Sequence, residues 1–159
     1  MHGPASREDF SRWWAFLDPP PAQRLIESLG DEVATIDVEG RRMYLLAKDV
    51  RALAKAAPVR SVRLLPAFDQ YVVGGTLHAE HLMPGPFKPR VYRAQGWLSP
   101  ALLVYGRMDG VWKYERKGKR VLVTIEPFAA LPREARSAAE LEAERLAGFL
   151  DGTLDLTWA

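Results

Sequence analysis

The chain has 159 residues, of which 48% are hydrophobic and 26% charged, with 12 Gly and 12 Pro. That composition excludes a disordered or fibrous chain and fits one medium domain or two small ones, burying roughly two-thirds of the unfolded surface. The absence of cysteine excludes a disulfide scaffold, thiolate metal sites and cysteine nucleophiles. No apolar run approaches the ~18 residues of a membrane helix. The N-terminus also lacks a basic-then-apolar leader pattern, so a soluble cytoplasmic protein with no membrane partner is expected.

A near balance of 22 Lys and Arg against 20 Asp and Glu conceals an asymmetry along the chain. Residues 1–59 carry 8 basic and 9 acidic side chains, residues 60–126 carry 11 and 5, and residues 127–159 carry 3 and 6. One basic middle segment, net +6, thus lies between ends of net −1 and net −3. A local anionic partner or charge pairing between segments in the fold accounts for this distribution.

Residues 1–59 read as helix, turn, helix, hairpin, helix. Ser6 is placed as an N-cap with Asp9 three positions on, a capping-box spacing. Phe10, Trp13 and Trp14 follow at helical spacing, and Asp18-Pro19-Pro20-Pro21 is expected to stop the helix. A second helix is expected from about Ala22 to Leu29, with Leu25, Ile26 and Leu29 on one face, Gln23, Arg24, Glu27 and Ser28 on the other, and Gly30 as C-cap. Alternation over 33–38 and 41–46 around Glu39-Gly40 predicts a hairpin, and residues 48–56 a short closing helix. These are the parts of a winged helix-turn-helix that lacks its first helix. The expectation is an excised or truncated unit with Trp13 or Trp14 poorly covered, a surface through which two copies would associate.

From residue 60 the texture changes to short β-branched or aromatic runs at 61–65, 71–73, 91–94, 102–105, 110–115 and 120–126, separated by Gly and Pro turns. Residues 76–82 read as one helical turn, and a final helix is expected over about 137–150 with Ala139, Ala143, Leu146 and Leu150 as its stripe. Glu140, Glu142 and Glu144 would form its solvated face. The fold class is α+β: a partial winged helix-turn-helix over 1–59, then over 60–159 a small antiparallel β-barrel or bent sheet with a closing C-terminal helix.

The most informative local feature is the run 112–120, with Lys113, Arg116, Lys117, Lys119, Arg120 and the aromatics Trp112 and Tyr114 around one glycine turn. A basic two-stranded ribbon can track phosphates; the competing reading is an edge hairpin kept soluble by its charges. Alternation puts Trp112 and Tyr114 on one face, a pattern more typical of core than of a base-stacking platform. In the first unit Arg41 and Arg42 would contact backbone from the wing, while Gln23, Arg24 and Ser28 would face groove edges.

His78 and His81 stand three apart, and His2 and Glu80 are the nearest available additions, but the spacing lacks the zinc-protease pattern; surface histidines are expected, with no metal and no cofactor. There is no Gly-x-Ser-x-Gly, no phosphate loop at Gly74-Gly75, and no Ser–His–Asp set. Asp69, just after an apolar strand, reads as a buried hydrogen-bonding anchor.

Five segments in order carry a resemblance: 2–13 (HGPASREDFSRW), 62–69 (VRLLPAFD), 96–107 (GWLSPALLVYGR), 110–116 (GVWKYER) and 125–128 (IEPF). The chain resembles the C-terminal half of the bacterial winged-helix DNA-binding family that includes the AlkZ-type DNA glycosylases. The resemblance implies tandem winged helices and a β-barrel clamped around double-stranded DNA, with damaged bases as substrates of the best-known members. It also implies a catalytic glutamine motif in the N-terminal half. Gln23, Gln70 and Gln95 stand isolated here and do not match it, so no catalytic residue is expected. The family's proline after Phe-Asp is replaced by Gln70, and its basic stretch by 75–80 (GTLHAE). The expected function is a non-catalytic DNA-binding module of a repair protein; the alternative is a structural or protein-docking module without specific DNA binding.

Overall fold

The computed structural model describes residues 3–14, 19–58, 60–74, 82–83 and 85–159. The expected Asp18 helix stop, residues 76–81 of the helical turn expected over 76–82, Gly75 and the residues His2, His78, Glu80 and His81 lie outside them. The chain divides into two compact units, Met1–Ala57 and Pro58–Ala159.

In the first unit α1 (Arg7–Trp13) starts with a complete capping box: the Ser6 hydroxyl accepts from the Asp9 N–H at 3.0 Å, and the Asp9 carboxylate accepts from the Ser6 N–H at 3.0 Å. The helix ends at Trp13, with the Trp14 N–H donating to the Phe10 carbonyl at 2.9 Å. α2 (Pro19–Ser28) begins three residues before the expected Ala22, as a first helical turn accepts proline without losing an internal hydrogen bond. β1 (Val33–Val38) and β2 (Arg41–Leu46) pair in full register from Val33↔Leu46 to Val38↔Arg41. Glu39 and Gly40 both have positive φ (53° and 80°), the conformation of a two-residue hairpin turn whose twist matches the strands. The closing helix is shorter than 48–56: a 3-10 turn at Ala47–Asp49 leads into α3 (Val50–Ala54).

The second unit is built on one sheet of order β3 (Val62–Leu65), β4 (Ala101–Val104), β5 (Arg107–Lys117), β6 (Arg120–Pro127) and β7 (Thr153–Trp158). β3 and β7 are its two ends, so the sheet is open rather than a closed barrel. It is also not wholly antiparallel: β7 runs parallel to β6, which the crossover helix α6 (Arg133–Phe149) makes possible. Two runs expected as strands are helical. Residues 71–73 belong to α4 (Gln70–Gly74), and 91 ends α5 (Lys88–Val91), leaving only a Tyr92↔Leu98 bridge. Asp69 explains the first case, since its carboxylate accepts the Tyr71 N–H at 2.8 Å and its carbonyl the Val73 N–H at 2.8 Å. It is a half-buried helix cap rather than a buried anchor.

Both faces of the sheet are covered. On one face Val62, Leu102, Val104, Trp112, Val121, Val123 and Ile125 pack with Ala135, Ala139, Ala143 and Ala147 of α6. The stripe is therefore alanine at every fourth residue, which lets the helix approach closely, while Leu146 and Leu150 flank it half-buried. On the other face Val72, Met83, Val91, Leu98, Ala101, Leu103 and Met108 form a second cluster. β4 is buried at all four positions because it serves both. The register between β4 and β5 shifts, with Leu102 opposite Gly110 and Leu103 opposite Met108. Asp109 is the extra residue of this bulge, and it reverses which side chains of β5 face α6.

Glu142 is not merely solvated: only 14% of its side chain is exposed, and it pairs with Arg145 and with Arg63 of β3 at 3.4 Å. Gly152, between α6 and β7, has no room for a side chain, as a Cβ there would stand 2.6 Å from Val121 Cγ2 and 2.9 Å from the Lys119 carbonyl.

Candidate nucleic-acid interface

The β5–β6 hairpin follows from its sequence: alternating apolar residues on both arms and a two-residue turn, Gly118-Lys119, with Gly118 at φ 61°. Pairing runs from Gly110↔Pro127 to Lys117↔Arg120. β4 accompanies β5 as far as the Ala101↔Val111 pair, and the Trp112 N–H still donates to the Pro100 carbonyl at 3.1 Å, so among the described residues Lys113–Lys117 runs on with no strand on that side. At ~3.3 Å per residue this is a free edge of roughly 16 Å. β7 lies along the other arm, and the Thr153 N–H donates to the Lys119 carbonyl at 2.7 Å, tying the turn to the sheet.

The two faces of the hairpin differ. Trp112, Tyr114 and Arg116 share the face of Ile125, Val123 and Val121. Trp112 is core, 6% exposed, with its indole N–H donated to the Leu65 carbonyl at 2.8 Å. Tyr114 stacks against it at 6.0 Å and remains half-exposed. The opposite face carries Lys113, Glu115 and Lys117 across from Thr124, Leu122 and Arg120. The five cations are therefore not one cluster on one face. Lys117 Nζ lies 3.2 Å from Glu115 Oε2, Arg120 pairs with Asp155 of β7, and Arg116 donates to the Gly118 carbonyl at 3.1 Å. Lys113 and Lys119 have no acidic partner among the described residues. Exposed pairs of this kind are worth about 0–1 kcal/mol, so trading Glu115 or Asp155 for a phosphate costs little.

In the first unit Arg41 and Arg42 open β2, both exposed, beside Glu39 and Asp37. The Asp37 carboxylate accepts the Gly40 N–H at 2.9 Å. Gln23 is engaged internally: its amide N–H donates to Glu27 Oε1 at 2.6 Å and its oxygen accepts from the Tyr44 hydroxyl at 3.3 Å, linking α2 to β2. Arg24 is exposed on α2, and the Ser28 hydroxyl donates to the Leu25 carbonyl at 2.7 Å. Lys48, Arg51 and Lys55 are further exposed cations around α3 that the sequence reading did not single out, although their spacing of three and four was visible. Phe10, Trp13 and Trp14 line one wall of an apolar groove of about 850 Å³, with Leu25, Leu29 and Leu53 on others. In the groove's lining is Asp49, whose Oδ2 is buried without a hydrogen-bond partner.

Among the described residues no group of three His, Asp or Glu is arranged to hold a metal, and no helix is long and apolar enough to cross a membrane. Burial raises the pKa of the Asp109 carboxyl at the bulge, with Arg107 opposing, and burial likewise raises the hydroxyls of Tyr71 and Tyr92. These two tyrosines are structural donors, to the Gly106 and Val72 carbonyls at 2.8 Å each.

The sequence profile of the family described as "DNA glycosylase AlkZ-like" matches residues 1–149. The chain is 36% identical over 148 residues to a Streptomyces sahachiroi protein described as "Interstrand DNA cross-link repair glycosylase", covering 92% of this chain and 39% of that one. Among solved structures it is similar to the Streptomyces sahachiroi DNA glycosylase AlkZ, with a TM-score of 0.80 and 34% identity over 98% of this chain and 42% of that one. The chain thus spans about two-fifths of the length of these relatives.

Proposed function

The chain belongs to the DNA glycosylase AlkZ-like family, and on that premise we propose that it is a DNA-binding module of a cytoplasmic repair protein that holds double-stranded DNA without excising bases itself. Lys113, Lys117 and Arg120 on one face of the hairpin, Lys119 at its turn and Arg116 on the other face take the phosphates. The first unit acts as a winged helix whose Arg41 and Arg42, with Arg24 and Gln23 of α2, add contacts. The observation that carries this reading is the unaccompanied edge of β5, where the basic residues are concentrated. Such contacts read backbone rather than sequence, and affinity falls steeply with salt.

Fluorescence anisotropy with a labelled duplex at two salt concentrations tests it. Reversing Arg116 and Lys117 to Glu should weaken binding by about tenfold, alike for unrelated sequences. A folded wild-type chain that fails to bind duplex at low salt sinks the reading.

The groove in the first unit favours a second role for that unit, association with a second copy of the chain. Its lining is mostly apolar and includes the exposed rings of Trp13 and Trp14, the kind of surface that a second copy would cover. Sedimentation equilibrium should then show a dimer that Trp14→Ala dissociates; a monomer at all concentrations rules this out.

A further inference from the structure

The end of the sheet from which the hairpin rises carries two exposed aromatic rings. Phe68 follows β3 in a turn closed by the Asp69 N–H on the Pro66 carbonyl at 3.3 Å. Trp97 precedes β4 in a loop closed by the Arg93 N–H on the Trp97 carbonyl at 2.8 Å. β3 ends where β4 begins, at the Leu65↔Ala101 pair, and β5 passes that point toward its turn. Both loops therefore sit at the foot of the free edge of Lys113–Lys117.

The rings meet edge to face, with centroids 5.2 Å apart and planes at 85°, and remain 44% and 56% exposed. Phe68 holds this position at φ 58°, and Gln95 and Gly96 in the facing loop are also left-handed, at 61° and 75°. A bulky residue persists in that region only where its surroundings over-determine it, and such residues gather at functional sites. Here the fixed Asp69 cap on α4 sets the backbone, and the ring it turns outward joins neither core cluster. The charge around the pair is permissive for a polyanion. Arg93 is exposed in the Trp97 loop, and Asp69, the acid of the Phe68 loop, already accepts the Tyr71 N–H.

We infer that Phe68 and Trp97 form a stacking platform for an unpaired base of DNA whose backbone lies along the free edge of β5. This rests on the DNA-binding reading above. A paired base hides both its faces in the stack, so rings fixed at the foot of a phosphate-binding edge engage a base only where pairing is interrupted.

The full chain is titrated by anisotropy into a labelled duplex and into the same duplex carrying one unpaired adenine. The wild type should bind the bulged DNA about tenfold more tightly, the scale of one base–aromatic stack. Trp97→Ala should abolish that preference while leaving the paired duplex within about twofold, and Trp97→Phe should restore part of it. Circular dichroism melting of each variant confirms that it is folded. Salt-sensitive duplex binding with no bulge preference, or a Trp97→Ala loss equal on both DNAs, overturns the platform and leaves the DNA-binding reading standing. No binding of either DNA by the folded wild type overturns both.

Discussion

The two units form their local elements equally well and bury them very differently. In Met1–Ala57 the cap, the hairpin turn and the helices are in place, yet Ala22 and Ser11 are the buried residues among those described. Trp13, Trp14, Leu25, Leu29 and Leu53 stay 41–53% exposed. In Pro58–Ala159 the sheet is covered on both faces, and Leu102, Met108, Val72, Val121, Val123 and Ile125 are fully enclosed. Local pattern is enough to make a helix or a hairpin; a core also requires a second layer facing it, which α6 and the short helices before β4 provide only in the second unit.

That contrast is most directly broken by matched truncations. Leu102→Ala removes an enclosed side chain and should cost about 2–5 kcal/mol, read as a lowered urea midpoint for the second unit. Leu25→Ala, at a position 44% exposed, should cost about 0.5 kcal/mol in the first. Equal costs would mean that the groove beside Leu25 is closed in solution, which is what a second copy of the chain would do.

The same distinction explains what was legible in the sequence. Glu39-Gly40, the glycine turn at Gly118 and the Ser6–Asp9 box are local devices, and the structure realises each, the second with Lys119 rather than Lys117 as its other turn residue. β7 is not legible from its sequence although Thr-Leu-Asp-Leu-Thr-Trp alternates, because its parallel partner β6 lies across a whole helix. Tyr71–Val73 looked like a strand because β-branched and aromatic residues favour one; the Asp69 cap outweighed that preference. At the candidate site the basic residues were legible, but their division between two faces depends on register. The Arg120–Asp155 pair, between residues 35 apart, also lay beyond local reading. The Phe68–Trp97 contact is invisible for the same reason: the rings lie in the separate segments 62–69 and 96–107, and only the β3–β4 pairing brings these together.

Acid sharpens the comparison most finely, because two aspartates give the units responses of opposite sign. Asp9 is pushed up by burial, but the Ser6 N–H and hydroxyl together with Arg12 outweigh this and hold it below its ordinary 3.8. As pH falls the unfolded chain takes up that proton first. The stabilisation is thus complete above 3.8 and is lost as pH drops through the lower folded value. Asp109 behaves inversely: burial, only partly opposed by Arg107, raises it above 3.8. Its charged form therefore burdens the fold at neutral pH, and acid relieves that burden as pH falls through the raised value toward 3.8. Ser6→Ala should cost the first unit about 1 kcal/mol at neutral pH through the lost cap, and Asp9→Asn should flatten its acid dependence. Hydrogen-exchange protection factors measured from pH 6 down to 3 should show α1 opening while the amides around the Asp109 bulge hold. Loss of protection at the same pH in both places would show that the units unfold as one, and that the difference in burial between them carries no difference in stability.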